Sequence, residues 1–265
     1  MTYLKENVSP QSFDHGHSAC DIEKRRLVEE LKKERESNKA KSLFVNMVSH
    51  EMRTPLAIIQ GAVDLIDHCD ERLTTDERKN YVSSVKRAIL RITRTMDTVL
   101  VLGKVQNNQL SFQPLKADVV KFCKNIINEI ENLNDGRRIT LQVSKSFPLE
   151  LKMDTTLIYH IVSNLLSNAI KYSDRSKAVH LKLSYGKKSL TICVQDFGIG
   201  IPESEIKNVF KLFHRGSNIA MRKGIGVGMF IVKHCVALHG GTIAIKSKEN
   251  AGTTFKAVLP VLGQN

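Results

Sequence analysis

Between Thr75 and Gly103 the apolar residues Val82, Val85, Ile89, Ile92, Met96 and Val99 recur at strict three- and four-residue spacing. On an α-helix that spacing collects them into one narrow stripe, the seam of a coiled coil. Thr74 and Glu77, just before the seam, form a capping-box signature that starts the helix. Upstream, a second helical pattern begins at Asp21. Charged residues dominate it from Glu23 to Lys41, with Leu27 and Leu31 four apart, and apolar residues thicken from Leu43 to Ile66. The polar break HCDERLTTD separates the two helices and folds them back as an antiparallel hairpin. One hairpin has too little partner surface to cover both stripes, so the expected solution is a four-helix bundle made with a second copy, a homodimer.

After Gly103 and the polar stretch KVQNNQLSFQP the pattern changes, and residues 105 to 113 read as a linker. Helices are predicted over Asp118–Leu133, Thr155–Lys171 and Gly228–Leu238. Arg138–Val143 reads as a strand, AVHLKLSY and SLTICVQ as a hairpin about Gly186, and GGTIAIKS and TTFKAVLP as two further strands. The expected fold class is therefore multidomain α and α+β, a helical hairpin followed by a mixed sheet with helices on one face. The domain plan is a flexible tail over 1–20, the hairpin over 21–108 and the second domain over 109–265.

At 265 residues and 42% apolar content the chain can bury a real core. No apolar run approaches the roughly 18 to 20 residues that span a bilayer, and MTYLKENVSP lacks a signal-peptide core, so a cytoplasmic protein without a transmembrane segment is expected. The five cysteines, Cys20, Cys69, Cys123, Cys193 and Cys235, contain no CxxC pair and read as reduced, mostly buried thiols. The net charge of +13 favours acidic partners. The basic residues are interrupted by acids, and no aromatic-basic interleaving or DNA-binding spacing occurs, which argues against nucleic acid.

Within the first helix, Phe44, Val48, Met52, Ile59, Ala62 and Ile66 share an arc of about 80°, the core face. His50 falls roughly 160° from its centre and is expected to project into water. Glu51 lies near the edge of the buried face, and Thr54 follows His50 by one turn. A neutral imidazole is a competent nucleophile, and a neighbouring carboxylate can orient it and accept the charge that develops as it attacks. Pro55 removes the amide that would bond the Glu51 carbonyl, at a general cost of about 3 kcal/mol, so a mechanical role beside the pair is expected. The run Ser49-His50-Glu51-Met52-Arg53-Thr54-Pro55-Leu56 resembles the H-box of sensor histidine kinases. The resemblance implies that His50 is the phosphoacceptor, that Glu51 assists attack, and that Thr54 positions water for dephosphorylation of a partner.

A phosphoacceptor needs a donor, yet the chain holds neither a GxxxxGK[ST] loop nor a complete GxGxxG fingerprint. Asn164, Asn168 and Lys171 in NLLSNAIKYS share one helix face. Amide oxygens there could ligate Mg²⁺ and the lysine could meet phosphate, or the pair could be ordinary surface residues. In DFGIGIP, Asp196 could accept from an adenine amine while Gly198 and Gly200 let the backbone approach a flat base; a plain turn after a strand is the alternative. Gly224, Gly226 and Gly228 precede an apolar helix whose first amides could face phosphate.

In order, NLLSNAIKYS resembles the N-box, DFGIGIP the G1 box, VFKLFHRG the F-box, GIGVGMFIVK the G2 box and GTTF the last glycine box of the histidine-kinase ATP domain. With the H-box, the resemblance covers residues 40 to 262. It implies a Bergerat-type α/β sandwich that binds ATP and Mg²⁺. Asp196 would read adenine, Asn164 and Asn168 would hold the metal and phosphate, and Lys171, Tyr172 and Thr253 would line the nucleotide. Residues 210 to 228 would form a lid, to which Arg215 belongs. Leu212 stands where many members carry an arginine, and GIGVGM replaces the commoner GxGLGL. The expected activity is autophosphorylation of His50 and transfer to an aspartate of a response-regulator receiver, with input from a separate sensory protein. A phosphatase-biased or non-catalytic ATP-binding scaffold is the alternative.

Overall fold

The computed structural model describes residues 14–68, 73–134, 136–214 and 225–262. Two long helices come first, α1 (Asp14–His68) and α2 (Thr75–Gln106). Helix α1 begins at Asp14, seven residues before the sequence pattern turns helical, and residues 1–13 of the expected tail lie outside the described residues. The chain divides into two compact units, Met1–Asn46 and Met47–Asn265. In the first, Ile22, Leu27, Val28, Leu31, Leu43 and Val45 are all exposed. The compositional change near 105–113 falls inside the second unit.

Helix α2 begins as its sequence requires. The Thr74 hydroxyl accepts from the Glu77 amide while the Glu77 carboxylate accepts from the Thr74 amide at 2.9 Å, so two end donors are satisfied reciprocally. Helix α1 continues unbroken through Pro55, whose ring is buried. Of the seam, Val82, Ile89 and Met96 are exposed within the single chain, whereas Val101, Leu102 and Val105 at the end of α2 are buried. That end packs against helices of the second half. The helix reaches three residues past Gly103 because its last turn has apolar surface to bury.

The second half contains β1 (Leu115–Ala117), α3 (Val119–Leu133), β2 (Ile139–Val143), β3 (Leu151–Met153), α4 (Thr155–Tyr172), β4 (Val179–Gly186), β5 (Ser189–Gln195), the short α5 (Glu203–Ile206), α6 (Gly228–Leu238), β6 (Thr242–Lys248) and β7 (Gly252–Pro260). Five strands form one sheet in the order β2-β4-β5-β7-β6, parallel between β2 and β4 and antiparallel elsewhere. Alternation along the strands puts Leu181 opposite Val194, Ile192 opposite Ala257 and Leu190 opposite Leu259, all buried on one face. Helices α3, α4 and α6 cover that face. Leu157, Ile158, Ile161, Leu165 and Leu166 of α4 are almost inaccessible, which makes α4 the central rod of the sandwich.

The pairing of β1 with β3 was not legible in the sequence, because three-residue strands carry no period. It is fixed by Asp154, which caps α4 through the Leu157 amide at 3.0 Å and accepts from the Gln113 amide at 2.7 Å. Phe112 packs edge-on against the buried His239 ring, 5.0 Å between centroids. The linker is thus pinned to the core.

Candidate nucleotide and phosphotransfer site

On α1 the apolar stripe is covered where periodicity places it. Ala62 is buried and Val48, Met52, Ile59 and Ile66 are half-buried. His50 is exposed, Glu51 is half-buried, and the Thr54 hydroxyl donates to the His50 carbonyl at 3.3 Å. The three residues share one stretch of helix, but only Glu51 lines the adjoining cleft.

That cleft is a cavity of about 330 Å³ at the edge of the sheet. Helix α4 supplies Asn164, Asn168, Lys171 and Tyr172 to it; the strand ends supply Asp196, Gly200 and Thr253; and the start of α6 supplies Gly226 and Gly228. Gly198 borders a larger adjoining cleft of about 1230 Å³, which shares Lys171 and Tyr172. Arg215 and Gly224 lie outside the described residues.

Asp196 is buried, and burial pushes its carboxyl above the usual aspartate value, against the opposing effect of hydrogen bonds from the Gly198 and Thr253 backbone. The Gly198 amide donates to Oδ1 at 2.8 Å. The neighbouring glycines serve the protein's own packing. A Cβ on Gly198 would stand 2.1 Å from the Tyr172 carbonyl, and one on Gly252 (φ +94°) 2.2 Å from the Asp196 carbonyl. They clamp the acidic strand end against α4 and β7; the sequence suggested an approach to a flat base for Gly198 and Gly200, and a Cβ on Gly200 (φ +66°) would likewise stand 2.0 Å from the Lys248 carbonyl. Ile201, Met229 and Phe255 give the cavity apolar walls suited to such a base.

Asn164 donates its Nδ2 to the His160 carbonyl at 2.7 Å, which turns Oδ1 toward the glycine loop. A Cβ on Gly228 would lie 2.6 Å from that oxygen. An oriented amide oxygen beside helix-start amides, with Asn168 one turn on and Lys171 on the rim, fits a Mg²⁺ ion that keeps phosphate and water as its other ligands. Among the described residues no group of three His, Cys, Asp or Glu side chains could form a dedicated metal cage.

Several lining residues escaped the sequence reading. Arg94, Thr95 and Thr98 come from α2, and Glu205 comes from α5, 3.3 Å from His214 of the expected lid span. Polar residues opposite an apolar seam look like a solvated face, and only the packing of α2 against the sheet domain reveals otherwise.

A helical hairpin bearing an exposed histidine is followed by a five-stranded sheet, covered by helices on one face, with an asparagine- and glycine-lined cleft at its edge. Residues 40–108 match the His Kinase A (phospho-acceptor) domain, and residues 153–263 match the histidine kinase-, DNA gyrase B- and HSP90-like ATPase. The chain belongs to the two-component sensor histidine kinases. It is 31% identical to hybrid signal transduction histidine kinase A of Dictyostelium discoideum, over 91% of this chain and 12% of that protein. It is also 31% identical to ArlS of Staphylococcus aureus strain USA300, over 81% of this chain and 48% of that one. The chain thus spans less than half the length of these relatives. Its fold is similar to that of Acinetobacter baumannii histidine kinase AdeS, with a TM-score of 0.54 and 20% identity over 81% of this chain and 98% of that chain. Among the described residues no helix is long and apolar enough to cross a membrane.

Proposed function

We propose that this chain is the ATP-dependent kinase part of a two-component system, in which His50 takes the γ-phosphoryl group of ATP and passes it to a receiver aspartate. The observation that carries the reading is the pairing, in one unit, of an exposed His50 with a cleft whose wall includes its neighbour Glu51. Asp196 accepts from the adenine amine. Lys171 and the first amides of α6 meet phosphate, and Asn164 and Asn168 would hold Mg²⁺, which when bound would supply charge neutralisation to the phosphates. The exposed His50 imidazole attacks in line, and Glu51 orients the ring and compensates its developing charge. Residues 21–108 form the dimerisation and phosphoacceptor segment and 109–265 the nucleotide domain. A second copy covers Val82, Ile89 and Met96, completing a four-helix bundle. An acidic receiver suits the +13 charge, the signal enters from a separate sensory protein, and the kinase works on the cytoplasmic side.

Incubation with [γ-³²P]ATP tests the reading. Acid-labile, alkali-stable label on the wild type and none on His50→Gln is the expected result, and absence of label on both rejects it. The second reading is a phosphatase-biased or non-catalytic scaffold, which the Thr54 position and the apolar Leu212 favour. Its signature is nucleotide binding with no label on His50 or on any receiver offered.

A further inference from the structure

The five strands of the sheet carry no aspartate or glutamate, and their four lysines, Lys182, Lys246, Lys248 and Lys256, are all exposed. Register puts them on one face. Lys182 stands opposite Cys193, Cys193 opposite Lys256 and Lys256 opposite Ala244, while Lys246 stands opposite Thr254, two residues from Lys256. This face is turned away from α3, α4 and α6, because the intervening Leu181, Leu183, Ile192, Val194, Phe255 and Ala257 are buried on the side those helices cover. Strand spacing sets Lys182 and Lys256 roughly 10 Å apart, and Lys246 and Lys256 roughly 7 to 8 Å apart. Burial raises the pKa of the Cys193 thiol between Lys182 and Lys256, and both lysines oppose that shift, as charges on the thiol's own side of the sheet do. Among the described residues no carboxylate forms an ion pair with any of the four lysines.

Like charges gathered on one face repel one another, and the sheet gains nothing from them. An anionic surface laid across the face converts that repulsion into attraction. Two features select the kind of surface. The other residues of the face are small or polar, among them Thr191, Gln195, Ala244 and Thr254, and its one aromatic ring, that of His180, is taken up by Thr140 and Phe197. It therefore lacks both the aromatic or arginine anchors of a specific protein interface and the stacking rings that hold single-stranded nucleic acid. Lysine ammoniums are compact, hydrated point charges that act without the directed fork of arginine. A flat array of them, with no large exposed apolar residue to insert, fits a plane of anionic lipid headgroups.

We propose that the open face of the sheet is a docking surface for anionic membrane lipid, held by Lys182, Lys246 and Lys256 and reversible with salt. None of these lysines lines the nucleotide cleft, so docking and nucleotide binding do not compete, and the inference stands apart from the phosphotransfer chemistry.

Flotation of the whole chain with vesicles tests it. Vesicles of phosphatidylcholine and phosphatidylglycerol in equal parts should carry the protein at physiological ionic strength, pure phosphatidylcholine should not, and high salt should release it. At roughly fivefold per lysine, Lys182→Gln, Lys246→Gln and Lys256→Gln together should lower the partition coefficient by about a hundredfold. The triple Lys121→Gln, Lys124→Gln and Lys233→Gln removes the same charge from exposed positions on α3 and α6, and should change it by less than about threefold. Equal losses in the two triples overturn the proposal, because net charge alone then accounts for binding, and so does equal binding to neutral vesicles. A wild type that ignores anionic vesicles but is retained on immobilised polyglutamate through the same three lysines also overturns it, and gives the face to an acidic protein. Acetylation needs no variant: anionic vesicles should shield Lys182, Lys246 and Lys256 from acetic anhydride and leave Lys121, Lys124 and Lys233 as reactive as before. Uniform shielding, or none, rejects the face.

Discussion

Asp196 shows how burial sets the chemistry of the cleft. The strand end carries it under the sheet edge, where it accepts from amides and sits above its ordinary pKa because burial opposes its charge. In the proposed role a base amine donates to this carboxylate, and protonation weakens that contact by removing its charge. The raised pKa means that protonation begins at higher pH than for an exposed aspartate, so nucleotide affinity should hold near neutrality and fall on acidification before ordinary aspartates titrate. Calorimetric titration with a non-hydrolysable ATP analogue from pH 7.5 downward checks this, and an affinity flat to pH 4 contradicts it. Asp196→Asn should cost at least about tenfold in affinity, the scale of a hydrogen bond to a charged group. The same linkage fixes a stability effect: the folded state holds this proton more tightly than the unfolded chain, so the cost of burying Asp196 is present at neutral pH and shrinks as pH falls. Gly252→Ala should disturb the same residue from behind, since its Cβ would strike the Asp196 carbonyl in a left-handed backbone (φ +94°). Loss of both stability and nucleotide binding is expected, read by urea unfolding and the same calorimetry. Two thiols belong to a different class: burial raises Cys123 and Cys235 to about 12, as reduced core residues should be, and neither should react with iodoacetamide in the folded protein.

Among the elements, the linker and α4 are joined through Asp154. One carboxylate oxygen caps α4 and the other holds the Gln113 amide, so a single residue ties the helix start to the segment leaving the bundle. Asp154→Ala removes both acceptors and leaves two donors, the Leu157 and Gln113 amides, without them, an expected loss of about 2 to 3 kcal/mol in urea unfolding. Thr74→Ala removes a cap in an exposed loop and should cost nearer 1 kcal/mol. The contrast between the two measures how much of a cap's worth comes from its burial. Helix α2 teaches a related lesson. Its apolar seam and its capping box were legible because each is a local pattern with a fixed period or offset. The roles of Arg94, Thr95 and Thr98 were not, because the face opposite a seam is polar whether it meets water or a nucleotide cleft.

For the whole molecule, the exposed stripe of Val82, Ile89 and Met96 is the surface on which the proposed dimer rests. Ile89→Glu should convert the dimer to a monomer in analytical ultracentrifugation, because a charge at the seam would have to be buried unpaired. A dimer that survives the change rejects this surface as the interface. The sequence by itself determined the order of the longer elements, the hairpin, the mixed sheet, and the exposed placement of His50 beside a half-buried Glu51. These follow from helical and strand periodicity, capping chemistry and box order, all of which act over a few residues. Only the tertiary structure decided what the glycines of the cleft touch, how Asp154 pins the linker, and that Arg94 and Tyr159, 35 and 30 residues from Glu129, share its carboxylate. Such contacts join residues whose separation has no period, and their energies exist only once the sandwich has closed and removed water from between its helices.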